Sequence, residues 1–463
     1  MQLRKGANAM TAADEHISQY VSMKSGEIDR RIFTDQNFFD IEMREIFGRS
    51  WLFLCHETQI PKAGDFVETP MGQDNVLVVR QRDKTIKAFI NSCSHRGNAV
   101  CRAEEGNAKN FMCTYHGWTY DIGGELVGVP GMDKFYGNRL DKKQHGLKKV
   151  EQLDTYKGFV FGTFDAEAPD LYDFLGSAGR LGMDLIAERG DMEAVPGIQK
   201  FIIDCNWKFT VDNLFDWYHP QISHMSATYT GMFPEDAYDS FLAGVDVDQD
   251  GGGAETPDGQ KFDARNSEFN YVDNVVVLGE YGHAIGGPHV SVRNASLNAW
   301  RERPGVADVL GPVGMQVDGH VNIFPTLWVT TVGQLSLRIP RTPTQTEIWW
   351  YSFVPKESTP DERAAMIDMH NHVFGPAGIL EQEDGENWAQ STQQSFGEKS
   401  SQIPNALRMN VGNGEIIHEH GLARIEGFTN EHAQLWTYGA WAAWMSGCGW
   451  DELRDRTTPG DVL

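Results

Sequence analysis

Four residues in the first third of the chain have the types and spacing of a metal centre. Cys93 and His95 stand at Cys-x-His spacing, and Cys113 and His116 stand at Cys-x-x-His spacing, with seventeen residues between the two pairs. Thiolates and imidazoles are common ligands of transition metals. Zinc accepts such a set, but its usual Cys-x-x-Cys pair places two thiolates on one loop. Each pair in this chain instead offers one thiolate and one imidazole.

A 2Fe–2S cluster of the Rieske type needs this mixture, because one of its irons takes two thiolates and the other takes two imidazoles. Gly97 and Gly117 come just after the ligands, where a tight loop must let backbone N–H groups approach the sulfurs. Structural zinc, and cysteines and histidines that meet by chance in β loops, are the alternatives. The residues that we predict to bind the cluster are Cys93, His95, Cys113 and His116.

A second pair of possible ligands is His219 and His224. On a regular helix, five residues separate two side-chain directions by about 140°, so the rings would not face one metal. Pro220 disfavours helical geometry at His219 and clashes with the carbonyl of Asp216, which predicts that a helix ends or kinks there. Such a break would let both imidazoles converge. Two histidines and one carboxylate form the facial triad of non-haem Fe(II) oxygenases, which leaves coordination positions open for dioxygen.

The carboxylate of this second centre is expected from a distant acidic stretch. Asp384 is the best candidate, and spacing leaves three competitors open: Glu381, Glu383 and Glu386. Asp216, three residues before His219, is expected to hydrogen-bond the outer nitrogen of that ring. An iron that activates dioxygen needs electrons one at a time, and the predicted cluster would supply them. The two motifs therefore support each other.

Composition narrows the possible partners. The chain has 463 residues and a net charge of −25, which disfavours nucleic acid and anionic lipid. It has no apolar run of about 18 residues and no secretory signal, so we expect a cytoplasmic protein without a membrane span. Six cysteines are too few for a disulfide scaffold. Those outside the Cys/His pairs are expected to be inert buried thiols: Cys55, Cys101, Cys205 and Cys448.

The pattern of residue types predicts three regions along the chain. Residues 1–50 look polar and helical, residues 51–165 are rich in β patterns and contain both Cys/His pairs, and residues 166–463 are mixed α and β. The segments predicted as strands are 75–80, 85–90, 158–164 and, as more than one strand, 335–353, with a hairpin turn at 121–124. Helices are predicted at 171–188 and 360–374. The acidic loop 246–259 begins like a calcium-binding loop, but Pro257 replaces the glutamate such a loop needs, which favours a solvated loop.

These motifs together are similar to those of one family. The sequence resembles the large (α) subunit of Rieske non-haem iron aromatic-ring-hydroxylating dioxygenases over nearly its whole length. The matching segments are CSHRG (93–97), CTYHGW (113–118), NWK (206–208), DWYHPQISH (216–224) and FGPAG…EDGENW (374–388). The resemblance implies an α+β fold: an all-β Rieske domain (51–165) and a larger catalytic domain (166–463). The catalytic domain would have an antiparallel β-sheet and covering helices around a mononuclear iron pocket, with segment 1–50 packed on it.

The resemblance also implies an activity and its partners. It implies that the chain cis-dihydroxylates an aromatic ring to a cis-dihydrodiol in aromatic catabolism, with electrons from NADH through a reductase and a ferredoxin. It implies three α subunits, with three small β subunits. Asp216 would link His116 of one subunit to His219 of its neighbour. The residues that match catalytic positions are Asp216, His219 and Asn213, and the residues that match pocket positions are Asn213, Leu214, Phe374 and Leu380.

Trp217 and Pro220 are not the residues found in the naphthalene type within this family, and Leu380 replaces a bulkier aromatic residue that some hydrocarbon dioxygenases carry. These departures leave the substrate open between an aromatic hydrocarbon and an aromatic acid, with a preference for an apolar ring. A Rieske monooxygenase or demethylase, and an electron-transfer Rieske protein without oxygenase activity, are the alternatives. Because the chain is strongly negative, an acidic ferredoxin would need a local positive patch. The candidates are Lys142, Lys143, Lys148 and Lys149, with a solvated lysine face as the alternative.

Overall fold

The computed structural model describes residues 17, 19–224, 226–227, 230, 246–247, 254–255, 273–292, 295–412 and 415–460. The chain forms two compact units. The larger unit takes in residues up to 38, residues 175–192 and residues from 197 onwards; the smaller unit takes in residues 39–174 and 193–196. The domain boundaries at residues 50 and 165 stay predictions from the sequence.

The smaller unit consists mainly of short antiparallel strands. The strand Asp74–Arg80 lies between Ile86–Ile90 and Asp65–Met71, and Asp65–Met71 also pairs with Glu105–Asn107. Two further sheets have three strands each. Their strands are Asn110–Met112, Thr119–Asp121 and Leu126–Gly128 in one sheet, and Leu52–His56, Gln152–Tyr156 and Phe159–Thr163 in the other. The predicted strands near residues 75, 85 and 158 and the hairpin turn after Asp121 are confirmed.

The core of the smaller unit explains where its two Cys/His loops lie. One loop follows the strand Ile86–Ile90, and the other joins Asn110–Met112 to Thr119–Asp121. Buried aromatic and aliphatic side chains pack beneath both loops, and the two cysteines belong to the same buried cluster. The principal members are Phe66, Leu77, Phe89, Phe111, Trp118, Tyr120 and Leu126. The loops are therefore supported by one common core.

An antiparallel sheet forms the centre of the larger unit. Its strands include, in spatial order, Gln199–Ile203, Gln345–Pro355, Gln334–Thr342, Leu327–Val329, His320–Ile323, Ala284–Pro288, Asn274–Leu278, Leu422–Gly427 and Ile417–Glu419. A further short strand spans Met192–Ala194. The long hairpin Gln334–Pro355 confirms the predicted strands, and its apolar residues are largely buried on both strands.

Helices surround this sheet, and two of them were predicted. Leu171–Ala187 and Pro360–Val373 confirm the predicted helices, although Gly176 interrupts the first with a φ of 54°. The helix Ile379–Gln394, called the ligand helix below, begins after Gly378. The other α-helices are Gln36–Ile41, Trp207–Asp212, Pro220–Ser223, Ala295–Asn298, Val306–Gly314, His432–Met445 and Trp450–Arg456. Within the described residues, none of the helices combines the length and apolar character that crossing a bilayer requires.

The N-terminal segment differs from the predicted helical region. Residues 1–16 and 18 lie outside the described residues. The described part forms two short strands, Val21–Ser22 and Glu27–Ile28, before its first helical turns. Glu27–Ile28 pairs with Asn405–Ala406, so its backbone partner comes from a distant segment that a local pattern does not reveal. The helical prediction for residues 1–50 was therefore wrong for the two strands, whereas the helical turns Arg30–Phe33, Gln36–Ile41 and Glu42–Ile46 bear it out.

The predicted acidic loop 246–259 is described at four residues. Asp246–Val247 pairs with Ala254–Glu255 as two short antiparallel strands. The remaining positions of the loop, including Pro257, lie outside the described residues. The loop therefore contains a short β pairing, and its interpretation as a solvated segment stays a prediction.

The cysteines outside the Cys/His pairs follow the sequence prediction with one exception. Cys55, Cys205 and Cys448 are buried, and Cys101 is only partly buried. Burial raises the pKa of the Cys205 thiol to about 12, so this thiol is protonated and unreactive. The prediction of a buried Cys101 was wrong, because its loop leaves part of the side chain open to solvent.

Candidate metal centres

The two Cys/His loops, called the cluster loops below, have the same backbone design. The N–H of Gly97 donates to the carbonyl of Cys93 at 2.8 Å, and the N–H of Gly117 donates to the carbonyl of Cys113 at 2.9 Å. Both glycines have a left-handed φ, +73° and +72°, which glycine adopts without steric cost. The paired glycines of the sequence therefore mark two matching turns.

The four predicted cluster ligands differ in their exposure to solvent. The thiols of Cys93 and Cys113 are buried, whereas His95 is partly buried and His116 is exposed. The two imidazole centroids lie 4.5 Å apart. His95 stacks on Trp118 at 4.8 Å, and its Nδ1 is buried without a hydrogen-bond partner. A buried ring nitrogen left free in this way fits a metal ligand.

Hydrogen bonds surround the sulfur atoms. Burial opposes ionisation of Cys113, but hydrogen bonds from the N–H of Tyr115 and the side chain of Asn98 outweigh it and lower the pKa of the thiol. The hydroxyl of Tyr120 lies 3.2 Å from the Cys93 sulfur. Such contacts tune the potential of a cluster bound by these sulfurs. No sequence pattern indicated Asn98 or Tyr120, because only the fold brings these side chains to the sulfur atoms.

The second candidate centre depends on a break in the backbone before its first histidine. The helix Trp207–Asp212 passes into a short turn, and Asp216 is extended, with φ −85° and ψ 94°. Pro220 then begins the short helix Pro220–Ser223, and His219 has helical dihedral angles. A break was predicted, but its predicted place at His219 was wrong. Proline occupies the first position of a new helix, where a backbone N–H would have no partner within the helix, so no hydrogen bond is lost.

This geometry brings three ligand atoms together. The Nε2 atoms of His219 and His224 lie 3.2 Å apart, and Oδ1 of Asp384 lies 3.3 and 3.4 Å from them. Within the described residues, these three side chains form a group whose ligand atoms all lie within 4.8 Å of one another, close enough to hold one metal ion. Oδ1 of Asp384 is buried without a hydrogen-bond donor. The arrangement of two imidazoles and one carboxylate fits the facial triad that holds non-haem iron.

Charges at the second centre favour a cation. Burial disfavours the protonated form of His219, but the carboxylates of Asp384 and Asp216 outweigh it and raise the pKa of His219 to about 10. Burial likewise opposes ionisation of Asp384, and the charge of His219 outweighs it and lowers the pKa of the carboxyl group. A metal cation would take the place of the proton between these groups, so its binding releases a proton.

The three competing carboxylates have other partners. Glu381 is buried and pairs with Arg338 at 2.6 Å. Glu383 accepts from the hydroxyl of Ser226 and lies 2.9 Å from Nδ1 of His224, where it fixes the orientation of that ring. Glu386 is exposed and accepts from the side chain of its helix neighbour at 2.8 Å. Asp384 is therefore the carboxylate that the structure places beside both histidines.

Asp216 lies beside His219, but the expected helical turn is absent at this point. Its Oδ2 is 3.5 Å from Nδ1 of His219. Its Oδ1 accepts from the N–H groups of Tyr218 and His219 at 2.8 and 3.2 Å. The carboxylate thus binds the backbone that leads into the helix Pro220–Ser223, and it lies beside the His219 ring on the side opposite the candidate metal.

The predicted pocket residues come from different segments of the larger unit. Leu214, Phe374 and Leu380 are buried, and Asn213 is partly buried at the end of the helix Trp207–Asp212. Phe374 stacks on Trp350 with 4.9 Å between ring centroids. The roles of all four residues in substrate binding stay predictions.

Two domain families match the two parts of the chain. Residues 50–156 match the Rieske [2Fe-2S] domain, and residues 179–412 match the ring hydroxylating alpha subunit (catalytic domain). The first match contains both cluster loops, and the second contains all three residues of the second candidate centre. The family matches therefore agree with the two centres found in the structure.

Relatives match almost the whole chain. The alpha subunit of biphenyl 2,3-dioxygenase from Rhodococcus jostii (strain RHA1) is 35% identical over 462 residues, covering 96% of this chain and 95% of the relative. The alpha subunit of benzene 1,2-dioxygenase from Pseudomonas putida is 35% identical over 447 residues, covering 93% of each. A crystal structure of naphthalene 1,2-dioxygenase with indole in its active site superposes with a TM-score of 0.78 at 30% identity, covering 95% of this chain and 96% of that chain.

Proposed function

The chain belongs to the family of ring-hydroxylating dioxygenase alpha subunits, and on this premise we propose that it is a terminal oxygenase that cis-dihydroxylates an aromatic ring. The product would be a cis-dihydrodiol, with NADH as the ultimate electron donor. A Rieske cluster supplies single electrons when bound, and a mononuclear iron binds and activates dioxygen. We place this activity in aromatic catabolism in the cytoplasm.

The observation that carries this proposal is the meeting of His219, His224 and Asp384 around one point. The two imidazoles and the carboxylate would hold the iron and leave positions free. Glu383 keeps the His224 ring in place through Nδ1, and Oδ2 of Asp216 lies 3.5 Å from Nδ1 of the His219 ring. A chain that only transferred electrons through its cluster would have no use for this second set of ligands.

An apolar aromatic ring is the substrate that we propose. The predicted pocket positions Leu214, Phe374 and Leu380 are apolar and buried, and the named relatives act on biphenyl and benzene. Burying an aromatic ring against such side chains stabilises the complex through the hydrophobic effect. Asn213, at the end of its helix, is proposed as the polar residue that positions the ring.

Copies of the chain would work together in this proposal. We propose a ring of three such subunits with three small β subunits, in which Asp216 connects His219 to His116 of a second copy. His116 is exposed, as a residue that meets another copy must be before assembly. A reduced ferredoxin would deliver electrons near Lys142, Lys143, Lys148 and Lys149, which are all exposed.

Oxygen uptake tests the proposal. The purified chain, supplied with ferredoxin, reductase and NADH, is expected to consume dioxygen and NADH in equal amounts with an apolar aromatic hydrocarbon. A panel of aromatic hydrocarbons and aromatic acids would define the substrate. Stoichiometric formation of a dihydrodiol supports the proposal, whereas NADH oxidation without an oxygenated product from any member of the panel contradicts it.

A further inference from the structure

The buried ion pair between Arg338 and Glu381 lies close to the second metal centre. Arg338 is on the strand Gln334–Thr342, Glu381 is on the ligand helix, and both side chains have 0% exposure. The guanidinium carbon lies 4.7, 5.2 and 5.5 Å from the ring centroids of three tryptophans: Trp328, Trp350 and Trp388. A pair so enclosed pays a large desolvation cost, and apolar side chains often replace such a pair without loss of stability.

The position of Glu381 suggests a role for this pair. Glu381 comes three residues before Asp384 on the ligand helix, so the two carboxylates share one face of the helix. Burial raises the pKa of Glu381, and the charge of Arg338 opposes this rise. Oε1 of Glu381 is held by Arg338, while Oε2 is buried without a hydrogen-bond donor. Glu381 is thus a second buried carboxylate within one turn of the candidate ligand.

On the basis of the proposed iron site, we propose that Arg338 is a positioning residue that withholds Glu381 from the metal. Asp384 then serves as the single carboxylate of a ligand set that keeps positions open for dioxygen. A second carboxylate would fill one of these positions. Removing one partner of a buried ion pair leaves the other charge uncompensated. Without Arg338, the iron is the cation to which Glu381 turns.

Nitric oxide tests this proposal, because it binds ferrous iron at open coordination positions and gives a distinct electron paramagnetic resonance signal. The full-length chain is loaded with ferrous iron, and bound iron is measured in every sample. In Arg338→Met, the apparent Kd for nitric oxide is expected to rise about tenfold or more, the range found when groups that support metal ligands are changed. Arg338→Lys keeps the positive charge and is expected to stay near wild type.

A double variant separates positioning from folding. Arg338→Met with Glu381→Leu removes the freed carboxylate and is expected to restore nitric oxide binding to nearly the wild-type level. Arg341→Met is the matched control, since Arg341 is on the same strand and pairs with Glu347 at 2.6 Å with 29% of its own side chain exposed. This control is expected to bind nitric oxide like wild type.

Two results would overturn the proposal. One is wild-type binding of nitric oxide by Arg338→Met, and the other is a double variant as impaired as the single variant, which a merely structural role predicts. If Arg338→Met does not fold, Arg338→Gln, which keeps a polar side chain but removes the charge, takes its place: weakened nitric oxide binding that Glu381→Leu restores supports the proposal, and wild-type binding overturns it. Failure of the proposed iron site would be recognised separately, in wild-type protein that binds no more ferrous iron than His219→Ala.

Discussion

The two metal centres of this chain are built in opposite ways. The cluster loops span residues 93–118, repeat one backbone design and rest on one core of short strands. The second centre combines His219 and His224 with Asp384 from a distant helix. The His116 imidazole of the first centre is exposed, whereas the carboxylate of the second is buried. An electron-transfer site must be accessible to partners, and a site for dioxygen chemistry must exclude water.

The largest expected effect comes from removing a ligand of the second centre. His219→Ala should lose the mononuclear iron and lower product formation by about 1,000-fold or more, as for other essential catalytic groups. The visible absorption of the cluster should remain, because its ligands lie in the other unit. Iron analysis and product assays check this, with His372→Ala, an exposed histidine, as the control. Equal turnover in wild type and His219→Ala would favour an electron-transfer protein.

The reciprocal change removes a ligand of the first centre and tests whether the second centre still binds its iron. Cys93→Ser should remove the cluster absorption and abolish NADH-dependent turnover, since no single-electron donor remains. Ferrous iron should still bind at the second centre in about wild-type amount. Cys101→Ser, which changes a cysteine outside the cluster loops, should keep the cluster. A colourless wild-type protein with one zinc per chain, or a Cys93→Ser protein that keeps the cluster absorption, would show that the assignment of the first centre is wrong.

Asp216 tests the connection between the centres. Asp216→Ala should leave both metals bound and lower turnover by about 100-fold, since the group that holds the His219 ring is lost. Glu386→Ala removes an exposed carboxylate from the ligand helix and serves as the control. Metal analysis, together with the rate at which the reduced cluster is reoxidised by dioxygen and substrate, provides the measurement. Turnover near wild type would exclude a bridging role for Asp216.

Surface charge near the cluster loops should have a smaller effect. Charge reversal of the four predicted docking lysines, Lys142, Lys143, Lys148 and Lys149, should slow ferredoxin-dependent turnover by about threefold to tenfold at low salt and weaken its salt dependence. Lys148 pairs with Glu151, so its share of the effect should be the smaller. Reversal of four exposed lysines elsewhere is the control: Lys24, Lys62, Lys84 and Lys399. Equal rates in both sets would refute the docking patch.

The smallest expected effect concerns stability in the larger unit. Burial raises the pKa of Asp212 to about 8, although a hydrogen bond from Tyr438 at 2.6 Å opposes this rise. The folded state therefore holds a proton that the unfolded chain releases near its ordinary pKa of 3.8. The stability that this proton contributes is complete below about pH 4 and is lost as the pH rises through about 8.

Asp212→Asn should remove this part of the pH dependence. Between about pH 6 and pH 9, the wild-type midpoint of thermal unfolding should fall by a few degrees more than that of Asp212→Asn. The asparagine oxygen still accepts the hydrogen bond from Tyr438, which isolates the effect of charge. Parallel pH profiles of the two proteins would show that Asp212 is not protonated in the folded state.

Sequence reasoning succeeded where the determinants were local. Glycines at fixed offsets after the cysteines identified both cluster loops, because a left-handed turn must come just there. The strands 335–353 and two of the helices were likewise predicted from their own periodicity. Local patterns could not show that Glu27–Ile28 pairs with Asn405–Ala406, and the helical prediction failed at these short N-terminal strands for this reason.

The second centre shows where such reasoning stops. Four carboxylates lie within six residues of one another, and spacing could not choose among them. The choice depends on Arg338, Ser226 and His224, which engage Glu381 and Glu383 through the fold. Pro220 correctly indicated a break in the helix. Because proline fits the first position of a new helix, however, the break lies at Asp216 and not at His219.

The central claim is that the first centre supplies electrons for insertion of both atoms of dioxygen at the second. The most direct test supplies isotopically labelled dioxygen to the complete system with an apolar aromatic substrate. Mass spectrometry then counts the labelled oxygen atoms in the product. Two labelled oxygen atoms in each dihydrodiol molecule are expected. A product with one labelled atom, or with its second oxygen taken from water, would contradict the claim and identify a monooxygenase.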